Sequence, residues 1–236
     1  MKINIALQIL FLASAIVSQE VEEQKVKISV YYSPLCSDTV RFFNQQFGPV
    51  YDEFKDKMDI ELHPYGKASH YWNDLKEDYE FLCQFGRDEC FYSKYHACAL
   101  DVMPFNESLS LIRCLFEQHH ERSKIISVCE KTHDIPIRAF KGCFENNSSA
   151  LMAGHGNSTE LIQLTFVPTI VPEGDTCLKR RDNLYKDFRV AFRKEYASKY
   201  QKYPDDVELS ESEREKLKDL CTPDFPQHLF HSFMWL

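Results

Sequence analysis

Cys36 is the residue whose type and position best suit chemistry in this chain, because a thiol that loses its proton is a strong nucleophile. Nine cysteines occur in the 236 residues, and only Cys36 lies in the N-terminal third. The other eight lie between Cys83 and Cys221. An odd number of cysteines in an exported protein leaves one thiol free or paired with another chain. We therefore expect up to four bridges among the eight, and a Cys36 that is free or links a dimer.

The first 18 residues have the pattern of a signal peptide. Lys2 precedes an apolar run from Ile5 to Val17, and Ser18 is a small residue suited to cleavage. This run is too short to span a membrane, and no other stretch has the ~20 apolar residues that a span requires. We expect a secreted protein without a transmembrane anchor, with a lysosomal or endosomal location as the alternative. Disulfides persist in exported proteins more readily than in cytosolic ones.

Composition and short motifs exclude several other functions. The net charge of −8 argues against a nucleic-acid binder, which would need a basic surface. No cysteines are paired at metal-ligand spacing, so we predict no metal site. Neither a Gly-rich phosphate loop nor a Gly-x-Ser-x-Gly elbow occurs. Four acceptors for N-linked glycans are predicted, at Asn106, Asn146, Asn147 and Asn157.

The residues around Cys36 predict a strand followed by a helix. Apolar residues alternate with polar ones from Val26 to Val30, which is the period of a half-buried strand, and Pro34 ends it. Beyond Cys36, apolar residues recur at helical spacings of three and four, at Val40, Phe43, Phe47, Val50 and Phe54. Cys36 would then lie at a helix N-terminus, where unpaired backbone N–H groups and the helix dipole favour the thiolate.

Further elements follow from the rest of the chain. We predict a second strand at Ile60–His63 and a third at Leu164–Val171, interrupted by Pro168. Between them, residues 70–150 carry six cysteines with helical spacing of apolar residues. The segment Leu178–Tyr203 has the composition of a long exposed helix, and Ser210 with Glu213 forms a capping box for a short one.

These elements divide the chain into three parts. Residues 1–18 form the signal peptide, and residues 19–177 form an α/β domain with a helical, cysteine-rich insertion at about 70–150. Residues 178–236 form a helical C-terminal extension. A cysteine between a strand and a helix is a thioredoxin-like arrangement, and such sites place a cis-proline opposite the thiol. Pro168 is the candidate, because Val167-Pro168-Thr169 starts the third strand.

A longer motif resembles a known signature. The segment Cys83 to Cys98 is similar to Cys-Gln-His-Gly-x-x-Glu-Cys-x-x-Asn-x-x-x-x-Cys of the gamma-interferon-inducible lysosomal thiol reductase (GILT) family. Six of its eight fixed positions match: Cys83, Gln84, Gly86, Glu89, Cys90 and Cys98. Phe85 replaces the histidine and Ser93 replaces the asparagine. The segment Pro64-Tyr65-Gly66-Lys67-Ala68 is similar to the family's Pro-Tyr-Gly-Asn-Ala.

The resemblance implies a thioredoxin-like core with a disulfide-bonded helical insertion, and a reductase site of the form Cys-x-x-Cys. This chain reads Cys36-Ser37-Asp38-Thr39, so Thr39 stands at the position of the second cysteine. A second thiol releases the substrate from the mixed disulfide. Thr39 has no thiol, although its hydroxyl could donate a hydrogen bond to the Cys36 thiolate. Any adduct would then need an external small thiol, glutathione or cysteine, and we expect no other cofactor.

Three hypotheses for the function remain open. Cys36 performs single-thiol exchange with an external reductant, or it traps partner proteins covalently, or the fold is a protein-binding scaffold without efficient reductase activity. We place the scaffold first, because it requires only the disulfide-bonded fold. The identity of the partner protein is not encoded in any motif that we find.

Overall fold

The computed structural model describes residues 24–117, 122–133, 135–175, 181 and 184–216, without the side chains of 122–125 and 216. The predicted signal peptide, Cys177 and Cys221 lie outside the described residues. The strands are β1 (Val26–Tyr32), β2 (Met58–Pro64), β3 (Ser69–Asn73), β4 (Asp78–Leu82) and β5 (Thr169–Pro172). The helices are α1 (Ser37–Phe42), α2 (Gly48–Phe54), α3 (Arg87–Val102), α4 (Phe105–Glu117), α5 (Arg122–Thr132), α6 (Ile137–Asn146), α7 (Ser148–Glu160), α8 (Phe188–Tyr200) and α9 (Glu211–Lys216).

A three-stranded sheet lies at the centre, in the order β2-β1-β5. Strand β1 runs parallel to β2 and antiparallel to β5, with Val30 opposite Leu62 and Ile170. A parallel pair needs a crossover, and α1 and α2 supply it through a π-helical turn at Phe43–Phe47. This β-α-β unit with an antiparallel third strand is the core of a thioredoxin-like fold, as predicted.

An aromatic core joins the crossover helix to the sheet. The predicted strand β1 alternates as expected, with Ile28, Val30 and Tyr32 fully buried. Phe43 and Phe47 are also fully buried, and the ring of Phe43 lies 5.1 Å from that of Tyr32. Burying such side chains contributes roughly 1.5–3 kcal/mol each. The same contacts fix the end of β1, from which the chain turns towards Cys36.

The insertion is helical only in part. A β-hairpin, β3–β4, occupies residues 69–82, and the prediction of a helical insertion at about 70–150 did not include it. Residues 74–77 form its turn, where the Asn73 carboxamide oxygen accepts hydrogen bonds from the N–H groups of Leu75 and Lys76. Aromatic side chains pair across the strands, as Trp72 does with Tyr79 at 5.1 Å, which is a contact that favours strand over helix.

Two disulfides hold the helices of the insertion together. Cys98 of α3 bonds to Cys143 of α6, and Cys114 of α4 bonds to Cys129 of α5. Both bridges are part of a second hydrophobic cluster, to which Leu111, Leu115 and Phe140 also belong. The predicted helical and disulfide-bonded character of this region is therefore correct from Arg87 onward.

The third strand is shorter than predicted. Strand β5 covers Thr169–Pro172 and not Leu164–Val171, because Pro168 has no N–H to donate to a strand ladder. The second strand is longer than predicted, since β2 begins at Met58 and ends at Pro64.

Helix α8 is part of the core, so the expectation of a long exposed helix was wrong. Asp187 caps its N-terminus by accepting a hydrogen bond from the Val190 N–H, and Gln201, with φ 59°, ends it. Phe188, Phe192 and Tyr196 are completely buried against the same core as β1. Their spacing of four residues gives one apolar face, which the many charged residues between them obscure in the composition. The predicted boundary at residue 177 stays a prediction.

Helix α9 begins as its capping box predicts. The Ser210 N–H donates to the Glu213 carboxylate at 2.8 Å, and the Glu213 N–H donates to the Ser210 hydroxyl at 3.4 Å. Arg193 of α8 contacts this segment through an ion pair with Glu213 at 3.5 Å.

Candidate functional site

Cys36 lies between a β-turn and a helix. Pro34 ends the extended chain of β1, and the Cys36 N–H donates to the Ser33 carbonyl at 3.3 Å. The Cys36 carbonyl then accepts from the Val40 N–H at 3.0 Å, which makes Cys36 the N-cap of α1. The thiol is not part of a disulfide, and Cys36 is half-buried.

The backbone before β5 faces the thiol. Antiparallel pairing sets Thr169 opposite Tyr31, so the residues just before β5 reach the end of β1. The Val167–Pro168 peptide bond is cis, and the Cys36 thiol donates a long hydrogen bond to the Val167 carbonyl, with Sγ 3.7 Å from the oxygen. Tertiary pairing thus brings together two of the predicted site residues, Cys36 and Pro168, which are separated by most of the domain.

Thr39 follows Cys36 by one helical turn and is completely buried. Its hydroxyl oxygen has no hydrogen-bond partner among the described residues, so the suggested bond to Cys36 is not formed in this state. The N-terminal part of α1 is otherwise solvated. Asp38 and Arg41 form an exposed ion pair there at 2.7 Å.

Tyr185 lies beside the same surface. Its ring is 6.2 Å from that of Phe42 in α1 and 5.8 Å from that of Phe166. Burial raises the pKa of Tyr185, and the negative charge of Asp38 raises it further. Tyr185 therefore stays protonated at neutral pH.

The signature segment is a disulfide-closed loop at the start of α3. Cys83 bonds to Cys90, and Gly86 adopts φ 79°, which favours glycine. Gln84 is exposed, and so is Phe85. Glu89 is completely buried and accepts hydrogen bonds from the Ser33 hydroxyl and the Phe85 N–H. The segment is thus linked to the turn that presents Cys36.

Sequence reasoning missed two residues that contact or support Cys36, namely Val167, through its carbonyl, and Ser33. The sequence offers no signal for Val167 other than its position before Pro168. Ser33 has its partner 56 residues away, so no local spacing points to it. The family resemblance around Gly66 and Glu89 is the signal in the sequence that could have pointed to Ser33. Both residues lie against Ser33 in the structure.

The predicted glycan acceptors have exposed side chains at Asn106, Asn146, Asn147 and Asn157. Across the described ranges, no group of three or more His, Cys, Asp or Glu side chains is arranged to hold a metal ion. Within the same ranges, no helix is both long and apolar enough to cross a membrane.

Comparisons with known proteins agree with the signature. Residues 27–133 match the family model described as gamma interferon inducible lysosomal thiol reductase (GILT). A gamma-interferon-inducible lysosomal thiol reductase-like protein of Anopheles gambiae is 30% identical over 164 residues, which cover 63% of this chain and 67% of the relative. This chain belongs to the GILT family. GILT-like protein 1 of Drosophila melanogaster is 29% identical over 178 residues, covering 68% of this chain and 70% of the relative.

Solved structures of bacterial oxidoreductases also superpose on this GILT family member. Oxidoreductase DsbA from Xylella fastidiosa gives a TM-score of 0.48 at 14% identity, over 75% of this chain and 87% of DsbA. The family match covers all of β1 except Val26, and it covers α1, α2, β2, the hairpin and helices α3, α4 and α5 completely. It therefore includes Cys36 and the whole signature segment.

Proposed function

We propose that this GILT family member is a single-thiol disulfide oxidoreductase in which Cys36 is the nucleophile. The observation that supports this proposal most directly is the position of the thiol. Cys36 is half-buried at the start of α1, and its Sγ atom lies 3.7 Å from the Val167 carbonyl oxygen. A cysteine that served only as core packing would be fully buried, whereas Cys36 is half-buried and its thiol contacts the backbone just before β5.

The reaction is two thiol–disulfide exchanges followed by regeneration of the thiol. The Cys36 thiolate attacks one sulfur of a substrate disulfide, forms a mixed disulfide and expels the other substrate sulfur as a thiolate, which takes a proton from water. A first external thiol, of the glutathione or cysteine class, attacks the Cys36 sulfur and releases the second substrate thiol. A second external thiol then forms the oxidised small-molecule disulfide and returns Cys36 to its reduced form.

Thr39 is the reason for the external thiol. It stands where the family's reductases carry their second cysteine, and its side chain has no sulfur that could attack the mixed disulfide. Two equivalents of small thiol therefore replace the intramolecular step. The proposed substrate is a disulfide in an unfolded or extended protein, because such a chain can bring its sulfur atoms to the half-buried Cys36.

We also propose that the protein is exported, glycosylated and secreted or delivered to a lysosomal or endosomal compartment. Three disulfides in the described ranges support this, because they persist only where the environment is oxidising. The exposed asparagines of the four acceptor motifs and the predicted signal peptide are consistent with it.

A second candidate is the protein-binding scaffold. A groove of about 850 Å³ lies between the β-hairpin and helices α3, α6 and α7. Leu82 and Phe91, two exposed apolar side chains, line it, and exposed Tyr71 and Trp72 lie on the same hairpin. Such apolar groups favour contact with another protein. On this hypothesis Cys36 has no catalytic part.

One assay separates the two candidates. Reduction of a denatured disulfide-containing protein is measured at pH 4.5 and pH 7 with excess glutathione or cysteine, for the wild type, Cys36→Ser and Thr39→Cys. Single-thiol exchange predicts activity above the uncatalysed background in the wild type and its loss in Cys36→Ser. Thr39→Cys is expected to be faster still, because it supplies an intramolecular second thiol.

Activity in Thr39→Cys alone would contradict the single-thiol proposal and favour the scaffold. Non-reducing electrophoresis of the same samples shows whether Cys36 instead forms a covalent adduct or a disulfide-linked dimer. Either species would appear as a band of higher mass that is absent from Cys36→Ser. A stable dimer without reductase activity would likewise contradict single-thiol exchange.

A further inference from the structure

A buried pair of side chains holds the turn that presents Cys36. Ser33 is completely buried, and its carbonyl accepts the Cys36 N–H that closes the turn. Its hydroxyl donates to Glu89 Oε1 at 2.5 Å. Because Ser33 and Cys36 are the first and last residues of one hydrogen-bonded turn, holding the Ser33 side chain also holds the direction in which Cys36 leaves the turn.

The second oxygen of Glu89 binds the signature loop. Oε2 accepts a hydrogen bond from the Phe85 N–H at 2.6 Å, inside the loop that the Cys83–Cys90 disulfide closes. Both carboxylate oxygens are thus occupied, which a completely buried carboxyl group requires. Glu89 therefore connects two segments that are far apart in the sequence, and is more than a cap for its own helix.

A third segment closes over the pair. Gly66 follows β2 with φ 65°, and a Cβ atom built there would lie 2.8 Å from Ser33 Cβ and 3.2 Å from Glu89 Oε1. Any larger residue would push the turn or the carboxylate away. The two stretches that resemble the family, around Gly66 and around Glu89, thus meet at Ser33, the first residue of the turn that ends at Cys36.

We infer that Glu89 is a positioning residue for Cys36 and acts through Ser33. By fixing the turn, Glu89 keeps the Cys36 sulfur against the Val167 carbonyl and limits the approach of electrophiles to one direction. The signature loop, with its disulfide, is the support that keeps Glu89 buried. This inference deepens the proposed function and rests on it for its biological meaning, but its test needs no substrate.

The test measures the rate at which iodoacetamide alkylates Cys36 in the native protein between pH 5 and pH 9, with mass spectrometry to verify that the disulfides stay intact. The variants are Ser33→Ala, Glu89→Gln and the double variant. Asp88→Asn is the matched control, because it removes the same charge from an exposed side chain in the same helical turn. Circular dichroism in the near-ultraviolet verifies the fold of each variant.

We expect the alkylation rate at pH 7 to rise about threefold or more in both single variants, the factor that corresponds to loss of one net hydrogen bond. The pH at which the alkylation rate is half-maximal should shift in the same direction in Ser33→Ala and Glu89→Gln. The double variant should be no faster than the faster single variant, because both changes break one contact. Asp88→Asn should match the wild type.

Rates and pH profiles in Ser33→Ala that equal those of the wild type would overturn the inference. Ser33→Ala is the deciding variant if Glu89→Gln does not fold, because it removes one hydroxyl and leaves the Glu89–Phe85 hydrogen bond in place. Reductase activity is not used in this test. A failure of the positioning role is therefore distinguishable from a failure of the proposed reaction.

Discussion

At the scale of single residues, Thr39 decides which chemistry is open to Cys36. A cysteine one helical turn after the proposed nucleophile Cys36 would release substrates within the molecule, and Thr39 cannot. Its hydroxyl is buried without a partner among the described residues, and a buried hydroxyl that donates to nothing is unfavourable. Thr39 therefore fills space beneath the helix and adds no reactive group.

Thr39→Val tests this interpretation. Valine keeps the shape and removes the unpaired hydroxyl, so we expect the free energy of unfolding in urea to rise by about 1 kcal/mol. The rate of Cys36 alkylation should not change, because the Thr39 hydroxyl does not contact the thiol. Thr39→Ala is the control, and it should be destabilising, since it leaves a cavity. Slower alkylation of Cys36 in Thr39→Val would show that the hydroxyl does support the thiolate.

At the scale of elements, the disulfides connect the helices and loops of the insertion to one another. The Cys98–Cys143 bridge joins α3 to α6 across 45 residues, the Cys114–Cys129 bridge spans 15, and the Cys83–Cys90 bridge spans 7. A bridge removes conformational entropy from the unfolded chain, and the effect grows with the length of the loop that it closes. The bridge between α3 and α6 should therefore stabilise the insertion most.

Paired Cys→Ala variants check this order. Loop-closure entropy predicts losses in the free energy of unfolding of roughly 4, 3 and 2 kcal/mol for bridges that close loops of these lengths. Urea unfolding of Cys98→Ala/Cys143→Ala should thus show the largest loss, with Cys83→Ala/Cys90→Ala as the matched small-loop comparison. The same loss in both would mean that side-chain packing, and not loop closure, determines how much each bridge contributes.

At the scale of the whole molecule, buried histidines set the response to acid. Burial lowers the pKa of His96 to about 3 and that of His155 to about 4, and it also lowers the pKa of His63. His63 and His155 face each other, with their Nδ1 atoms 3.3 Å apart, and the Glu61 carboxylate lies 4.0 Å from His63 Nε2. Protonating both rings would place two positive charges between β2 and α7.

These lowered pKa values predict that acid destabilises the protein. In the unfolded chain the histidines bind protons near pH 6.5. In the folded chain the buried histidines bind protons only at a much lower pH. The unfolded state then binds more protons, so stability is present above about pH 6.5 and is lost as the pH falls. For His155 the loss between pH 7 and pH 4.5 should be on the order of 2 kcal/mol.

Urea unfolding of the wild type, His155→Gln and His133→Gln at pH 7 and pH 4.5 measures this effect. His155→Gln should flatten the dependence on pH, because glutamine does not titrate. His133 is only half-buried, so His133→Gln is the matched control and should retain the wild-type slope. Equal slopes in all three proteins would contradict the assignment of the acid response to His155.

The sequence by itself determined the parts of this protein that depend on local pattern. Alternating residues predicted β1, spacings of three and four predicted the helix that follows Cys36, and the Ser210 to Glu213 capping box predicted α9. The signature motif identified the family. Each of these patterns is formed by residues within about 15 positions of one another in the chain. The local sequence is therefore sufficient to recognise it.

Only the tertiary structure decided how distant segments meet. Burial of α8, the hairpin within the insertion, and the contact of Cys36 with Val167 depend on partners far along the chain. The Ser33–Glu89 pair shows the reason most clearly. A polar side chain can be buried only where a partner satisfies it, and which partner does so depends on how sheet, turn and signature loop pack together in three dimensions.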